Sequence, residues 1–256
     1  MNQKWLESQF SLSGSNALVT GASKGIGFEI ATALASAGAD LILVGRELDS
    51  LQKCASHCKE QNVKVSIELC DLSDQSSLSA VLERISQSKI DILVNNAGTI
   101  HRQAAVDVKT EDWKRIIDVN LDSVFKLTQH VGRRMIKNGK GRIINIASLL
   151  SFQGGINVAP YTVSKHGILG LTRALANEWG PLGVNVNAIA PGYISTDNTL
   201  ALRNDKERSE AILSRIPLGR WGKPEDISAV AVFLASQAAQ FINGEVITVD
   251  GGWMSR

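Results

Sequence analysis

Seven short apolar runs, rich in β-branched residues, alternate with longer amphipathic stretches along this chain, and that alternation restricts the fold more than any other feature. The runs are Ala17–Thr20, Asp40–Val44, Lys64–Cys70, Asp91–Asn95, Arg142–Ala147, Val184–Ile189 and Glu245–Val249. Between them lie helix-like segments at Ile26–Ala37, Asp49–Gln61, Gln75–Gln87, Asp112–Lys137, Tyr161–Trp179 and Glu225–Ala235. Strands that are apolar throughout, each followed by a helix, predict a seven-stranded parallel sheet with helices on both faces. Right-handed crossovers then make the α/β fold doubly wound.

At 256 residues, with no internal repeat, low-complexity tract or linker, one domain spanning residues 1–256 is expected. The long irregular stretch is Pro191–Gly222, with a helix predicted over Asp205–Arg215, and a stretch of that kind inside a domain suits a small substrate lid at about 192–222. Helix ends are marked by Thr110 as an N-cap before Glu111 and Asp112, by Pro224 at a first helical position, and by Gly38 and Gly180 as stops.

The 27 basic and 25 acidic residues give a net charge of +2, which is no electrostatic footprint for a nucleic-acid or membrane-surface partner. The N-terminus lacks the apolar core of a secretory signal, and no apolar run approaches the ~18 residues of a membrane helix. Cys54 and Cys58 lie one helical turn apart with His57 between them, but no fourth ligand is near, so they read as packed thiols and no metal is expected. Reduced cysteines fit a cytoplasmic address.

Thr20-Gly-Ala-Ser-Lys-Gly-Ile-Gly27 follows the first predicted strand and opens the first helix. Gly21 can take the tight turn, Gly25 lets backbone approach a pyrophosphate, and Gly27 lets helix and strand pack closely. Ser23, Lys24 and Ile26 complete the loop, and the anion sits on the helix N-terminus, where free N–H groups and the dipole favour it. The second strand ends at Gly45-Arg46, where a guanidinium rather than a carboxylate meets the adenosine ribose. That charge and fork geometry match a 2′-phosphate, Lys24 could add a second cation, and the expected cofactor is NADP rather than NAD. Glu47 could instead supply the carboxylate that NAD requires. Asp71 and Leu72 close the third strand, where Asp71 could accept from the adenine amine, and Asn96, Ala97 and Gly98 follow the fourth. Both sets also have the composition of simple turns.

Tyr161 and Lys165 are one helical turn apart, with Ser148 thirteen residues upstream at a strand's carboxyl end. A free tyrosine, with a pKa of about 10, is a poor base at neutral pH. An adjacent ammonium favours the phenolate and makes Tyr161 a candidate proton carrier, while Ser148 could hold a substrate oxygen. A Tyr-x-x-x-Lys pair alone is weak, and gains its weight from the nucleotide loop that precedes it.

Taken together, Thr20-Gly-x-x-x-Gly-Ile-Gly, Asn95-Asn-Ala-Gly, Asn120, Ser148, Tyr161-x-x-x-Lys165, Pro191-Gly and Val249-Asp-Gly-Gly resemble the short-chain dehydrogenase/reductase family over nearly the whole chain. The resemblance implies a Rossmann-type domain and an NAD(P)-dependent oxidoreductase that interconverts a secondary alcohol and a ketone. It implies that Ser148 orients the substrate oxygen, Tyr161 exchanges its proton, Lys165 lowers the tyrosine pKa and binds the nicotinamide ribose, and Asn120 holds a water in the relay. Asn120 could also simply bend the long helix that carries it. Pro191, Gly192, Ile194 and Thr196 fall where the family contacts the nicotinamide carboxamide. A homotetramer is implied too, with Trp253 and the apolar C-terminus as an interface.

Ile146-Ala-Ser-Leu-Leu-Ser-Phe-Gln-Gly-Gly, Ala176-Asn-Glu-Trp, Ala190-Pro-Gly-Tyr-Ile-Ser-Thr-Asp-Asn-Thr and Arg220-Trp-Gly are closer still to bacterial dehydrogenases of gluconate and deoxygluconate. A sugar-acid substrate carries a carboxylate, for which Arg102 and Arg203 are the candidate cations. Those relatives tend to use NAD, which sets them against the Arg46 reading. Two other functions are open: a 3-oxoacyl carrier-protein reductase, with Arg133, Arg134 and Lys137 as a basic docking face, and a non-catalytic dinucleotide sensor on the same fold.

Overall fold

Alternate residues of the central strands face opposite sides of the sheet, and both sides are covered by helices. In β1 (Asn16–Thr20), Ala17 and Val19 join one apolar cluster and Leu18 the other. β4 (Ile92–Asn95) and β5 (Gly141–Ile146) repeat the pattern, with Leu93 and Ile143 facing one side and Val94 and Ile144 the other. With β2 (Asp40–Gly45), β3 (Val65–Leu69), β6 (Val184–Pro191) and β7 (Val246–Val249) they form a seven-stranded sheet in the order β3-β2-β1-β4-β5-β6-β7. Every pairing is parallel. The structure, a computed structural model, describes residues 2–256.

Helices α2 (Gly25–Ser36), α3 (Leu48–Lys59) and α10 (Pro224–Ala235) cover one face. The other carries α4 (Gln75–Arg84), α6 (Ser123–Asn138) and α7 (Ala159–Trp179). The chain order reverses between β1 and β4, so the carboxyl ends of these two strands flank the crevice where such sheets bind ligands. Cys54 and Cys58 are fully buried in α3 and belong to the core. Among the described residues there is no group of three metal-ligating side chains, and no helix is long and apolar enough to cross a membrane.

Two expectations need correction, and one helix was not expected. The predicted helix Asp112–Lys137 is two helices, α5 (Thr110–Ile117) and α6, joined by a π-helical turn at Asp118–Asp122. The apolar periodicity runs through that turn, which hid it; the extra residue per turn swings Asn120 into the core. Thr110 is not the N-cap, because it already has helical geometry, and Lys109 precedes it without a side-chain cap. Gly180 does end α7, as its C-cap, though not in the left-handed region: the chain runs on through a 3₁₀ turn, Gly180–Leu182, and reverses at Gly183, with φ 83°. The N-terminal α1 (Gln3–Phe10) was not foreseen: it buries none of its residues fully, and its apolar face is only the half-buried pair Leu6 and Phe10.

The stretch after β6 bridges back on itself through Ile194 and Gly222. Between them lie a 3₁₀ turn at Asp197–Thr199, then α8 (Leu200–Asn204) and α9 (Lys206–Leu213). The predicted start at Asp205 is the N-cap of α9, its carboxylate accepting from the Arg208 N–H at 3.0 Å.

α6 and α7 meet where Gly132 faces the Trp179 indole; a Cβ on Gly132 would lie 2.6 Å from two ring carbons. Gly132→Ala is therefore expected to cost about 1–3 kcal/mol through overpacking. Urea denaturation checks this, and an unchanged midpoint would show that the two helices part freely.

Candidate active site

The carboxyl ends of the strands open into a cleft of about 560 Å³. One wall is the glycine loop between β1 and α2. Gly21 has φ +65°, and a Cβ there would lie 2.8 Å from the Asn96 amide nitrogen and 2.9 Å from Ala97 Cα. A Cβ on Gly27 would run into the Gly21 carbonyl. Asn96 donates to the carbonyls of Thr20 at 3.0 Å and Gly21 at 3.2 Å, locking the loop to the end of β4. The result is a side-chain-free cradle at a helix N-terminus, of a shape and polarity that fit a dinucleotide pyrophosphate.

Gly21, Ser23, Lys24, Gly25, Ile26 and Gly27 line the cleft, as do Arg46, Asp71, Leu72, Asn96, Ala97 and Gly98. So do Ser148, Tyr161, Lys165, Pro191, Gly192, Ile194 and Thr196. The Arg46 side chain enters no ion pair among the described residues. Lys24 is placed differently from the expectation, with its ammonium on Asp197 at 2.7 Å. Asp71 accepts from the backbone and hydroxyl of Ser73, at 2.9 and 2.7 Å, which is the turn geometry weighed as its alternative. Those bonds hold its carboxyl below the usual range.

Deeper in the cleft, Lys165 is 5% exposed and donates to the Ile146 carbonyl at the end of β5, at 2.6 Å. Its ammonium lies 5.6 Å from the centre of the Tyr161 ring. Ser148 Oγ caps the following 3₁₀ turn, accepting from the Leu150 N–H at 3.1 Å, and lies close enough to the Tyr161 phenol to favour its ionised form. The protonation balance departs from the sequence expectation. Burial raises the Tyr161 pKa, with Ser148 and the Arg102 charge pulling it back, and burial lowers Lys165 to about 8. Desolvation disfavours both charged forms, and it is the leading cause of each shift.

Asn120 is 1% exposed and sits behind the cleft rather than in its lining. Its amide donates to the Thr99 carbonyl at 2.9 Å and to Ser164 Oγ at 3.1 Å, and its oxygen accepts from the Thr99 N–H at 2.8 Å. Arg102 donates to the Asn198 carbonyl at 3.0 Å. Arg203 donates to the Thr196 carbonyl at 3.1 Å, and its Nε is buried without a partner. Neither arginine lines the cleft, although the charge of Arg102 reaches the Tyr161 phenol.

The sequence reading missed Thr99, Arg115 and Asp197, all of which line the cleft. Arg115 precedes Val119, another lining residue, by one helical turn, a spacing that could have exposed it. Asp197 and Thr99 adjoin or follow motifs already singled out but carry no pattern of their own.

Residues 21–254 match a family model described as enoyl-(acyl carrier protein) reductase. A 2-dehydro-3-deoxy-D-gluconate 5-dehydrogenase of Bacillus subtilis strain 168 is 51% identical over 253 residues, which is 98% of this chain and 99% of that protein. Among solved structures, a protein of Agrobacterium tumefaciens described as a 2-deoxy-D-gluconate 3-dehydrogenase, with bound NADP, superposes with a TM-score of 0.92 at 48% identity, covering 96% of this chain and 99% of its own. One of Beutenbergia cavernae, described as an NAD(P)-dependent gluconate 5-dehydrogenase with NADP bound at low occupancy, gives 0.94 at 48% identity and the same coverages. With its parallel sheet, glycine cradle and full-length relatives, the chain belongs to the short-chain dehydrogenase/reductase family and is an NAD(P)-dependent oxidoreductase acting on a CH–OH group.

Proposed function

We propose that this enzyme interconverts a secondary alcohol and a ketone on a gluconate- or deoxygluconate-type sugar acid, with NADP(H) as its cofactor. The observation that carries the proposal is the convergence of Ser148, Tyr161 and Lys165 on one wall of the glycine-cradled cleft. The names of relatives similar over nearly the whole chain support the substrate class. Bound in the cleft, the nicotinamide supplies or accepts the hydride. The chain's own residues do the rest. Ser148 holds the substrate oxygen, and Tyr161 passes a proton to or from it. Lys165 supplies the positive charge beside the phenol and binds the nicotinamide ribose. Asn120 fixes Thr99 and Ser164 beneath the site, and holds a relay water in this reading.

Arg46 is the cation for the 2′-phosphate, at a strand end where a carboxylate would have selected NAD. Arg102 is favoured over Arg203 for the substrate carboxylate, because its charge is felt at the phenol. Residues 192–222 form the lid over the substrate. The reading as a 3-oxoacyl carrier-protein reductase draws on the description of the matching family model. Its proposed docking face is weakened by Arg134, whose guanidinium is already engaged by the Ser86 carbonyl. A non-catalytic sensor has no use for the Ser148–Tyr161 contact.

We also place the protein in a reducing, cytoplasmic compartment, which suits its three free thiols. We assign it a homotetrameric assembly. Trp253 is not the interface expected from the sequence, being 5% exposed against Arg215 and Tyr193 of its own chain. The exposed apolar side chains Trp113, Phe125 and Val163, on α5, α6 and α7, offer a contact surface instead.

Tyr161→Phe should bind NADPH as the wild type does and lose turnover by about 10²–10⁴-fold, the usual worth of a positioned proton donor. A near-wild-type kcat would remove the proton-transfer role. Arg46→Ala should raise the Kd for NADPH about tenfold or more and leave NADH unchanged; equal effects on both would remove the phosphate clamp. A screen of keto-sugar acids against acyl thioesters, followed by nicotinamide absorbance, decides between the two substrate classes. Light scattering should return a tetramer, and a monomer would contradict the assembly.

A further inference from the structure

The turn that begins the lid is held by cations on three sides. Arg102 donates to the Asn198 carbonyl at 3.0 Å, Arg203 to the Thr196 carbonyl at 3.1 Å, and Lys24 reaches across from the glycine loop to the Asp197 carboxylate at 2.7 Å. Thr196 and Thr199 cap each other within the same turn, so the position of Asp197 is fixed independently of Lys24. Lys24 is not fixed in this way. Its ammonium ends a flexible four-carbon stem, and Asp197 is its sole ion-pair partner among the described residues. Arg46 and Glu47 line the same cleft, and their charges are felt at Lys24, which places that ammonium within range of the corner assigned above to the 2′-phosphate.

We propose that Asp197 tunes the discrimination between NADPH and NADH by competing with the cofactor's 2′-phosphate for the Lys24 ammonium. The inference rests on the NADP reading above. A phosphate near Arg46 offers Lys24 more negative charge than one carboxylate does, and the lysine stem can swing while the Asp197 turn stays behind. NADPH must therefore draw Lys24 away from Asp197 and leave that carboxylate unpaired at the rim of the cleft. NADH makes no such demand, and the pair persists when it binds. Both side chains are mostly exposed, 67% for Lys24 and 71% for Asp197, so the pair is a weak competitor. Surface ion pairs of this kind change an equilibrium by roughly two- to fivefold, which is the size of effect expected on selectivity.

Titration of the unliganded enzyme with NADPH or NADH, read by nicotinamide fluorescence, measures the two Kd values without turnover. Asp197→Asn should lower the Kd for NADPH about two- to fivefold and leave that for NADH unchanged. The gain should vanish when Asp197→Asn is introduced into a Lys24→Met background, because the competition then has no object. A wild-type enzyme indifferent to the 2′-phosphate overturns the NADP reading and this inference with it. A phosphate-selective enzyme overturns this inference alone if Asp197→Asn leaves its selectivity unchanged, improves NADH as much as NADPH, or keeps its effect without Lys24.

Discussion

The placement of the active-site groups depends on one buried cation. Lys165 donates to the Ile146 carbonyl at 2.6 Å, in a position with almost no access to water. A second tie runs alongside it: Ser151 Oγ donates to the Lys165 carbonyl at 2.8 Å and accepts from the Ser148 N–H at 3.2 Å. Together these bonds dock α7 against the end of β5. One helical turn earlier, Tyr161 is thereby brought to Ser148. The same burial sets the chemistry, since desolvation weakens the ammonium and raises the phenol. In the unliganded cleft the phenol holds its proton more tightly than a free tyrosine does. Ser148 and Arg102 are the groups that oppose this.

The fold was legible because burial on both faces of a parallel sheet leaves short, wholly apolar runs that few other structures require. Each predicted strand lies within about two residues of the observed one, and the crevice position followed from the order of the elements. What could not be read was the π-helical turn at Asp118–Asp122, since a one-residue slip in helical phase leaves the apolar pattern nearly intact. Its effect is functional: it delivers Asn120 to the Thr99 backbone and the Ser164 hydroxyl. The cleft lining at the strand ends and in the glycine loop was legible for the same reason as the fold, whereas Asn120, Arg102 and Arg203 lie outside that lining and Thr99, Arg115 and Asp197 within it carry no motif. The partners of the site's charged groups were not legible either. Lys24, Arg102 and Arg203 each end on the 196–199 turn, a tertiary approach that no local spacing encodes.

That turn joins the two halves of the cleft. Lys24 belongs to the glycine loop on the nucleotide side, while the charge of Arg102 is felt at the Tyr161 phenol on the substrate side. A carboxylate or phosphate arriving at either side would meet a cation already engaged by the 196–199 turn. In the proposed reading, anion recognition and the position of this turn share these few hydrogen bonds, of which the Lys24–Asp197 pair is exposed enough to exchange cheaply.

The pH profile of ketone reduction is the most direct test of the buried pair. A lowered lysine pKa means that the ammonium is present below about 8 and lost above it, while the raised Tyr161 keeps its proton through that range. With a keto-sugar acid and NADPH, kcat/KM should be level from pH 6 to about 8 and then fall about tenfold per unit, through loss of a single proton. A profile that stays level to pH 10 would mean that the charge on Lys165 does not support the proton transfer, and would contradict the account.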